Sequence, residues 1–367
     1  MKILFHLNSM GRGGAERVVS ILSQYFVRRG YEVIVATQWF SENEYRLDEG
    51  VKRVSVGLTK QDEEKSRLSK AWIRLTRLRQ CIRQEKPDLV ISFCCKANFR
   101  SAFSLLGSKI PLLVSVRNNP VEDYEPHKFA TRLMEQKAAG CVFQTPDAMK
   151  YFSKKLQDKS TIIFNPIADA YLEVNAEKVE EREKTIISVG RIAKQKNQML
   201  LVEAFAAICG KHSDYVLKIY GDVQDEDIAQ SLGKYVDEHN LKHRVQFMGT
   251  TNSIKQEMEK ASLFVLSSDF EGMPNALIEA MAVGLPVIST DCPCGGSALL
   301  IEDKVSGLLV PVGDVEALSM AMNDMLSKPQ EAQAMGQEAR RVLDKVHPVK
   351  ICEEWVDYID KILGRRK

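Results

Sequence analysis

Short apolar runs alternate along the chain with longer stretches in which apolar residues recur at helical spacing. In the first part of the chain the apolar runs lie at residues 2–8, 32–37, 88–93, 111–116, 140–144 and 160–164. A second series begins at residue 185 and continues at 217–221, 244–249, 263–267 and 286–290. Short apolar runs are typical of strands buried in a parallel sheet, and the stretches between them predict crossover helices. The pattern therefore predicts an α/β fold with doubly wound parallel sheets.

The two series of strands indicate two domains. A chain of 367 residues is too long for one ordinary core and long enough for two. The charged, weakly apolar stretch at 169–184 is typical of a linker. We therefore predict an N-terminal domain at 1–168 and a second domain at 185–350.

Charge is distributed unequally between the two parts of the chain. Residues 1–168 hold 28 Lys and Arg against 17 Asp and Glu, whereas the remainder holds 23 against 32. A basic part of this kind can attract nucleic acid, anionic lipid or a phosphorylated substrate. Nucleic acid is disfavoured because the basic residues lack the interleaved aromatics of a base-stacking surface.

The predicted helix at 65–86 is the most basic element. Its cations are Lys65, Arg67, Lys70, Arg74, Arg77, Arg79, Arg83 and Lys86. They surround an apolar strip of Leu68, Trp72, Leu75, Leu78 and Ile82. Such a helix can lie on an anionic membrane surface, or it can pack on the sheet with a solvated outer face. The basic charge of the whole domain favours the membrane surface.

Composition points to a cytoplasmic protein. No apolar run approaches the roughly 18 residues of a membrane span, and the first run is too short for the core of a signal peptide. The eight cysteines contain no repeated Cys-x2-Cys pair. We therefore expect reduced thiols and no zinc site.

The main candidate site follows the apolar run at 263–267. Here Glu271 lies in a short loop before a predicted helix, and Glu279 lies two helical turns further on. The loop continues with Gly272, Met273, Pro274 and Asn275. Backbone N–H groups at a helix start bind anions, and carboxylates accept hydrogen bonds from sugar hydroxyls. Taken alone this pair is weak evidence, because Glu279 could equally be a solvated helix residue.

A second candidate site is the glycine-rich turn after the first strand. Gly11-x-Gly13 is followed by Glu16 where a dinucleotide-binding turn requires glycine or alanine. No acidic residue ends the strand at 32–37. A nicotinamide cofactor is therefore disfavoured, and Gly13-Gly14 forms either a ligand-binding turn or a tight turn without a ligand.

The continuous stretch from Glu271 to Thr290 closely resembles the nucleotide-sugar motif of the GT4 family of retaining glycosyltransferases. This resemblance implies the GT-B fold, in which two Rossmann-like domains face each other across a cleft. It also implies that residues 351–367 form a helix that crosses back to the N-terminal domain. The implied co-substrate is a UDP-sugar, with no metal and no further cofactor.

The resemblance also implies roles for individual residues. Arg191 and Lys196 match the Gly-Arg-x4-Lys pair that binds the donor diphosphate. Glu271 is expected to bind the donor sugar and Glu279 the ribose. The backbones of Gly13-Gly14 and Met273–Asn275 are expected to line the sugar pocket.

Arg117 departs from the family pattern, because GT4 enzymes frequently carry histidine near this position. A guanidinium cannot act as a base at neutral pH, but it can stabilise phosphate or developing negative charge. We therefore expect Arg117 to lie between donor and acceptor.

The resemblance is strongest to bacterial enzymes that extend polyprenyl-diphosphate-linked oligosaccharides, including those that add N-acetylgalactosamine. It implies a UDP-hexose or UDP-N-acetylhexosamine donor and a lipid-linked glycan acceptor. The enzyme would then be peripheral on the inner face of the cell membrane. The alternatives are a UDP-N-acetylglucosamine epimerase or hydrolase of the same fold, and a non-catalytic nucleotide-binding protein.

Overall fold

The chain folds into two compact units. The structure, a computed structural model, describes residues 1–11, 13–41, 43–173 and 182–365. One unit comprises Met1–Pro166 with Pro348–Lys367, and the other comprises Ile167–His347. The predicted linker at 169–184 lies within this second range, and its residues 174–181 lie outside the described residues.

A seven-stranded parallel sheet forms the centre of the first unit. Its strands are β1 (Lys2–Leu7), β2 (Glu32–Thr37), β3 (Val51–Ser55), β4 (Leu89–Phe93), β5 (Leu112–Ser115), β6 (Gly140–Phe143) and β7 (Thr161–Ile162). Their spatial order is β3-β2-β1-β4-β5-β6-β7. The order changes direction between β1 and β4, and such a switch point is where open α/β sheets bind ligands.

Helices connect most of these strands. They are α1 (Gly14–Arg28), α2 (Arg67–Glu85), α3 (Cys95–Ser104), α4 (Pro120–Tyr124), α5 (Lys128–Lys137), α6 (Pro146–Lys150) and α7 (Lys154–Gln157).

The second unit is built on a six-stranded parallel sheet. Its strands are β8 (Glu183–Val189), β9 (Val216–Tyr220), β10 (Val245–Gly249), β11 (Ala261–Leu266), β12 (Val287–Thr290) and β13 (Leu308–Val310), in the order β10-β9-β8-β11-β12-β13. Its helices are α8 (Gln198–Ile208), α9 (Glu226–Glu238), α10 (Ile254–Lys260), α11 (Asn275–Ala282), α12 (Gly296–Leu300), α13 (Val315–Ser327), α14 (Pro329–Ala339) and α15 (Val342–Val346). Two doubly wound parallel sheets confirm the predicted fold class.

The last helix, α16 (Pro348–Ile362), packs into the core of the first unit. The Trp355 ring stacks on Phe93 with centroids 5.7 Å apart. The Tyr358 hydroxyl donates to the Lys159 carbonyl at 2.6 Å. Because Trp355 is fully buried, α16 is an integral part of this core.

Helix α2 buries only part of its predicted apolar strip. Ser66 caps its first turn, and Lys86 ends it in the left-handed conformation. Leu78 and Ile82 are buried, but Leu68 is 84% exposed and Trp72 68% exposed. The second half of the helix therefore packs on the protein, whereas the apolar side chains of its first half are exposed.

Three strands differ from the prediction, and all three are short or lie at a sheet edge. The sequence pattern missed β3, an edge strand next to β2, because the polar residues Lys52 and Arg53 interrupt its apolar pattern. It also missed β13, at an edge of the second sheet, while β7 covers only Thr161–Ile162 of the predicted 160–164. Within the described residues, no helix is both long enough and apolar enough to span a bilayer.

Candidate active site

The second sheet places two loops of the predicted site side by side. Strands β8 and β11 are neighbours at the point where the strand order changes direction. The loop after β8 carries Arg191 and Lys196, and the loop after β11 carries Glu271. Parallel strands deliver both loops to the carboxyl edge of the sheet, where α/β folds bind their ligands.

Hydrogen bonds fix these two loops to each other. The Asp269 N–H donates to the Gln195 carbonyl at 2.9 Å. The Asn197 side-chain amide donates to Asp269 Oδ1 at 2.7 Å, and the Gln195 amide donates to the Phe270 carbonyl at 2.9 Å. The loops therefore form one rigid support for the residues at their tips.

Glu271 is a buried carboxylate at the centre of this support. Its Oε1 accepts from the Ser268 hydroxyl at 2.7 Å and from Lys196 Nζ at 2.5 Å. The side chains of Glu271 and Lys196 are only 7% and 18% exposed. A buried ion pair is stable only where further hydrogen bonds satisfy its atoms. Ser268 provides such a bond to Oε1, whereas the contact that the described residues make with Oε2 is a long one, 3.5 Å from the Gln195 amide.

A third loop, which follows β12, packs beneath Glu271. The Thr290 hydroxyl donates to the Ser268 carbonyl at 2.6 Å, and the Glu271 N–H donates to the Pro293 carbonyl at 3.2 Å. Gly296 lies so close to Gly272 that an added Cβ would be 1.9 Å from the Gly272 carbonyl oxygen. A side chain at Gly296 would therefore displace the loop that carries Glu271.

Cys292 lies in this third loop and is buried. Burial, with a smaller contribution from the Glu271 carboxylate, raises the pKa of its thiol to about 12. The thiol is therefore protonated at neutral pH and is a poor nucleophile.

Helix α11 directly follows the loop that carries Glu271. Gly272, Met273 and Pro274 are buried, and Asn275 begins the helix. Glu279 is also buried, so it is not the solvated helix residue that its position alone allowed. Its Oε2 accepts from the Tyr171 hydroxyl at 3.1 Å.

The two predicted diphosphate-binding cations differ in their surroundings. Arg191 is exposed, and its carbonyl accepts from the Gln198 amide at 2.8 Å. Lys196 packs over Gly190, where an added Cβ would lie 3.2 Å from the Lys196 side chain. Thus Arg191 is open to solvent, while Lys196 is held against Glu271.

The remaining predicted site residues belong to the first unit. Gly14 begins α1, and Gly13 has an extended backbone with φ −110°. Glu16 folds over Gly13, so an added Cβ there would lie 2.2 Å from the Glu16 carboxylate. Glu16 is a flexible side chain that can rotate away, so neither this contact nor the extended backbone requires glycine at position 13.

Arg117 lies two residues after the end of β5, and its guanidinium contacts two aromatic rings and Asn165. Its guanidinium lies over the Phe93 ring at 4.7 Å and the Trp355 ring at 5.7 Å. It donates to Asn165 Oδ1 at 2.7 Å, and the Gln144 amide donates to the same oxygen at 2.7 Å. Burial lowers the pKa of Arg117 to about 10, so the side chain is still a cation at neutral pH.

Sequence reasoning missed several residues that hold the site together. These are Ser268, Gln195, Asn197, Asp269 and Tyr171, whose hydrogen bonds are described above. Position relative to the strands could have indicated Ser268, because it directly follows the β11 region. Tyr171 gave no such signal, since it lies in a stretch whose composition is typical of a linker.

Two family models match the chain. The model described as "Glycosyltransferase Family 4" matches residues 12–170. The model described as "Glycosyl transferases group 1" matches residues 172–342. Together the two models span nearly all of both structural units.

Individual relatives and a solved structure agree with these matches. An uncharacterised glycosyltransferase of Methanocaldococcus jannaschii is 30% identical over 63% of this chain and 64% of its own length. A Campylobacter jejuni α-1,4-N-acetyl-D-galactosaminyltransferase, whose name specifies a GalNAc-containing diNAcBac-PP-undecaprenol substrate, is 26% identical over 99% of both chains. Anabaena HepE in complex with UDP-glucose superimposes with a TM-score of 0.81 and 18% identity, covering 98% of this chain and 100% of HepE.

Proposed function

The chain belongs to the GT4 glycosyltransferases and has the GT-B fold, and we propose that it transfers a sugar to a polyprenyl-diphosphate-linked glycan. The donor is a UDP-hexose or UDP-N-acetylhexosamine, and the anomeric configuration is retained. The observation that carries this proposal is the buried Lys196–Glu271 pair at the switch point of the second sheet. The Campylobacter jejuni relative supports the lipid-linked acceptor, since it matches over almost the whole chain.

Glu271 binds the donor sugar in this proposal. Its Oε1 already accepts two short hydrogen bonds, from Ser268 and Lys196. Within the described part of the chain, its Oε2 has only the 3.5 Å contact to Gln195, which is too long for a strong bond. This oxygen therefore has the capacity to accept from a sugar hydroxyl.

Arg191 and Lys196 bind the diphosphate of the donor. During transfer the bond from the sugar C1 to the diphosphate oxygen breaks, and a bond from C1 to the acceptor oxygen forms. Negative charge grows on the leaving UDP, and two positioned cations stabilise it. The acceptor hydroxyl gives its proton to the leaving phosphate on the same face of the sugar, so no metal is required.

The rest of α11 and its loop complete the donor site. Glu279 binds the ribose hydroxyls, and its bond to Tyr171 holds the carboxylate in place. The backbone of Gly272, Met273, Pro274 and Asn275 approaches the sugar.

Residues of the first unit have more limited roles in the proposal. The Gly13-Gly14 turn lets a ligand approach the backbone of this unit. Arg117 was expected between donor and acceptor, but its contacts with Phe93, Trp355 and Asn165 favour a positioning role. We therefore assign it to fixing the loops that follow β5 and β7.

The enzyme acts at the cytoplasmic face of the membrane in this proposal, because its acceptor is a lipid. Leu68 and Trp72 are exposed on the first half of α2, among basic side chains. Apolar and cationic groups together bind anionic bilayers. The first half of α2 is thus the proposed membrane-contacting surface.

A panel of UDP-, GDP- and ADP-sugars tests the function. Each labelled donor is incubated with the protein, with and without bacterial polyprenyl-diphosphate-linked oligosaccharide. Release of the nucleoside diphosphate and the appearance of label in the lipid fraction are followed. We expect label to enter lipid from one UDP-sugar, and only when the acceptor is present. Release of the nucleoside diphosphate without an acceptor would instead indicate the epimerase or hydrolase alternative.

A further inference from the structure

Two exposed aromatic side chains follow β2, at the carboxyl edge of the first sheet. Trp39 is 47% exposed and Phe40 64% exposed. Strand β2 pairs with β1, and a single β-bridge between Gly11 and Glu44 joins the chain after β2 to the loop that leads from β1 to Gly13. These two residues, the aromatic pair, therefore lie at the edge where open α/β sheets bind ligands.

The backbone that carries the aromatic pair is fixed from two sides. The N–H groups of Gln38 and Trp39 both donate to the Asn8 carbonyl, at 2.8 and 3.1 Å. On the other side Gly57 packs so closely that an added Cβ would lie 1.5 Å from the Gln38 carbonyl oxygen. The position of the aromatic pair is thus set before any ligand binds.

Arg53 supports one ring of the aromatic pair. Its guanidinium lies over the Phe40 ring, 4.4 Å from the centroid. Arg53 Nη2 donates to Glu44 Oε1 at 2.9 Å and to Thr37 Oγ1 at 3.2 Å, so the guanidinium is held in place and its charge is balanced by a carboxylate. Because Phe40 is nevertheless mostly exposed, the ring face away from Arg53 is open to solvent.

The chain that carries the aromatic pair is acidic rather than basic. Residues 38–45 contain two Glu and no Lys or Arg. Helix α2, by contrast, presents the exposed Leu68 and Trp72 among basic side chains. An anionic bilayer attracts cations, so the charge at 38–45 disfavours a membrane surface here. A neutral ligand fits this charge, and the exposed Asn43 amide can both donate to and accept from its hydroxyl groups.

Sugar rings meet these requirements. Their C–H groups carry partial positive charge and stack on aromatic faces, which are negative. We propose that Trp39 and Phe40 form a stacking surface for a sugar residue of the acceptor glycan. The class of ligand, a neutral saccharide, follows from this chemistry, while its place in the acceptor rests on the proposed function.

Binding of a free glycan tests this surface without any sugar transfer. The glycan is released by mild acid from bacterial polyprenyl-diphosphate-linked oligosaccharide, so that it carries neither lipid nor diphosphate. Calorimetry is carried out with the full chain and saturating UDP, which occupies the donor site. Stacking removes much of an aromatic side chain from water, so Trp39→Ala and Phe40→Ala should each raise the Kd for the glycan about tenfold.

Two further variants serve as controls. Trp39→Phe keeps an aromatic ring and should bind the glycan nearly as well as the wild type. Trp72→Ala removes an exposed tryptophan of α2 and should leave the Kd unchanged. The proposal would be overturned if the wild type did not bind the free glycan. It would also be overturned if the wild type, Trp39→Ala and Phe40→Ala bound it equally.

Binding to phosphatidylglycerol vesicles distinguishes a saccharide-binding surface from a membrane-binding one. Trp39→Ala should co-sediment with vesicles as the wild type does. A loss of vesicle binding in Trp39→Ala, with glycan binding unchanged, would assign the aromatic pair to the bilayer and refute the saccharide.

The transfer assay separates this proposal from the proposed function. Trp39→Ala should raise the KM for the lipid-linked acceptor and leave kcat unchanged, because the stacking contact is the same in the ground state and the transition state. If the wild type transfers no sugar while glycan binding depends on Trp39, only the proposed function falls. If the wild type transfers sugar while glycan binding is independent of Trp39 and Phe40, only the stacking surface falls.

Discussion

Lys196 has two partners in this account, the Glu271 carboxylate and the donor diphosphate. Its Nζ is 2.5 Å from Glu271 Oε1, so a single cation links the proposed sugar and diphosphate positions. Arg191 lies at the other end of the same loop and is exposed. The effects of the two cations can therefore be distinguished experimentally, because only Lys196 also stabilises the buried Glu271 carboxylate.

Replacing either cation by alanine should weaken UDP binding. Each charged hydrogen bond contributes about 1.5–3 kcal/mol, so Arg191→Ala and Lys196→Ala should each raise the Kd for UDP by tenfold or more in calorimetry. Only Lys196→Ala should also lower the Tm, since it leaves Glu271 buried without its ion pair. The exposed Lys194 in the same loop is the matched control, and wild-type affinity in Arg191→Ala would refute its role.

His6 should make stability depend on pH. It is fully buried on β1, where Nδ1 lies 2.8 Å from the Ser101 hydroxyl and Nε2 lies 3.1 Å from the Gln38 amide. Burial, with a smaller contribution from Arg100, lowers its pKa from 6.5 to about 3. The unfolded chain therefore binds a proton first as the pH falls. The contribution of His6 to stability is complete above pH 6.5 and is lost between there and pH 3, by about 1.4 kcal/mol per pH unit.

This effect is measured by urea unfolding of the wild type and His6→Gln between pH 7.5 and 5. Below pH 6.5 the variant should lose less stability per pH unit than the wild type. His127→Gln serves as the control because His127 is exposed. Parallel pH profiles for the wild type and His6→Gln would show that His6 is not the titrating group.

The site residues show how far single positions can be read from sequence. Glu271, Glu279, Arg191 and Lys196 were proposed from the resemblance, and their roles remain predictions. Their contacts could not be derived, because Lys196 and Glu271 are 75 positions apart and meet only when β8 and β11 become neighbours. The contact of Tyr171 could not be derived for the same reason, because Tyr171 and Glu279 are 108 positions apart.

At the level of elements, α2 shows most clearly what periodicity omits. Its helical spacing predicted the element over 65–86 and the structure has it at Arg67–Glu85. The spacing could not show where the helix leaves the body of the protein, which decides that Leu68 and Trp72 are exposed while Leu78 is buried. Strand β3 was missed for a related reason, since an edge strand is covered on fewer sides than a central one.

The exposed half of α2 should bind membranes. Burying one large apolar side chain contributes about 1.5–3 kcal/mol, so the double change Leu68→Ser and Trp72→Ser should weaken binding to phosphatidylglycerol vesicles tenfold or more. Co-sedimentation measures this directly, and the fold should persist because both side chains are exposed. Met320→Ser, at a 63% exposed position of the second unit, is the control. Equal sedimentation of the double variant and the wild type would exclude this surface.

At the scale of the whole molecule, the order of strands and helices was predictable and the unit boundaries were less so. Alternating apolar runs predicted two parallel sheets because each buried strand is almost entirely apolar. The stretch at 169–184 predicted a linker by composition, yet Tyr171 within it is buried against Glu279. Composition does not reveal such a contact, because it depends on one side chain rather than on the average of the stretch.

The central claim is that the Glu271 site transfers sugar to a lipid-linked diphosphate glycan. The most direct measurement is the rate at which label moves from the UDP-sugar into polyprenyl-diphosphate-linked oligosaccharide, compared between the wild type and Glu271→Ala. Glu257→Ala, which changes a glutamate that accepts from the Tyr220 hydroxyl elsewhere in the same unit, serves as the control. We predict transfer by the wild type and the control, and almost none by a folded Glu271→Ala. Transfer by Glu271→Ala at the wild-type rate would contradict the account. So would release of the nucleoside diphosphate by the wild type with no label in the lipid fraction.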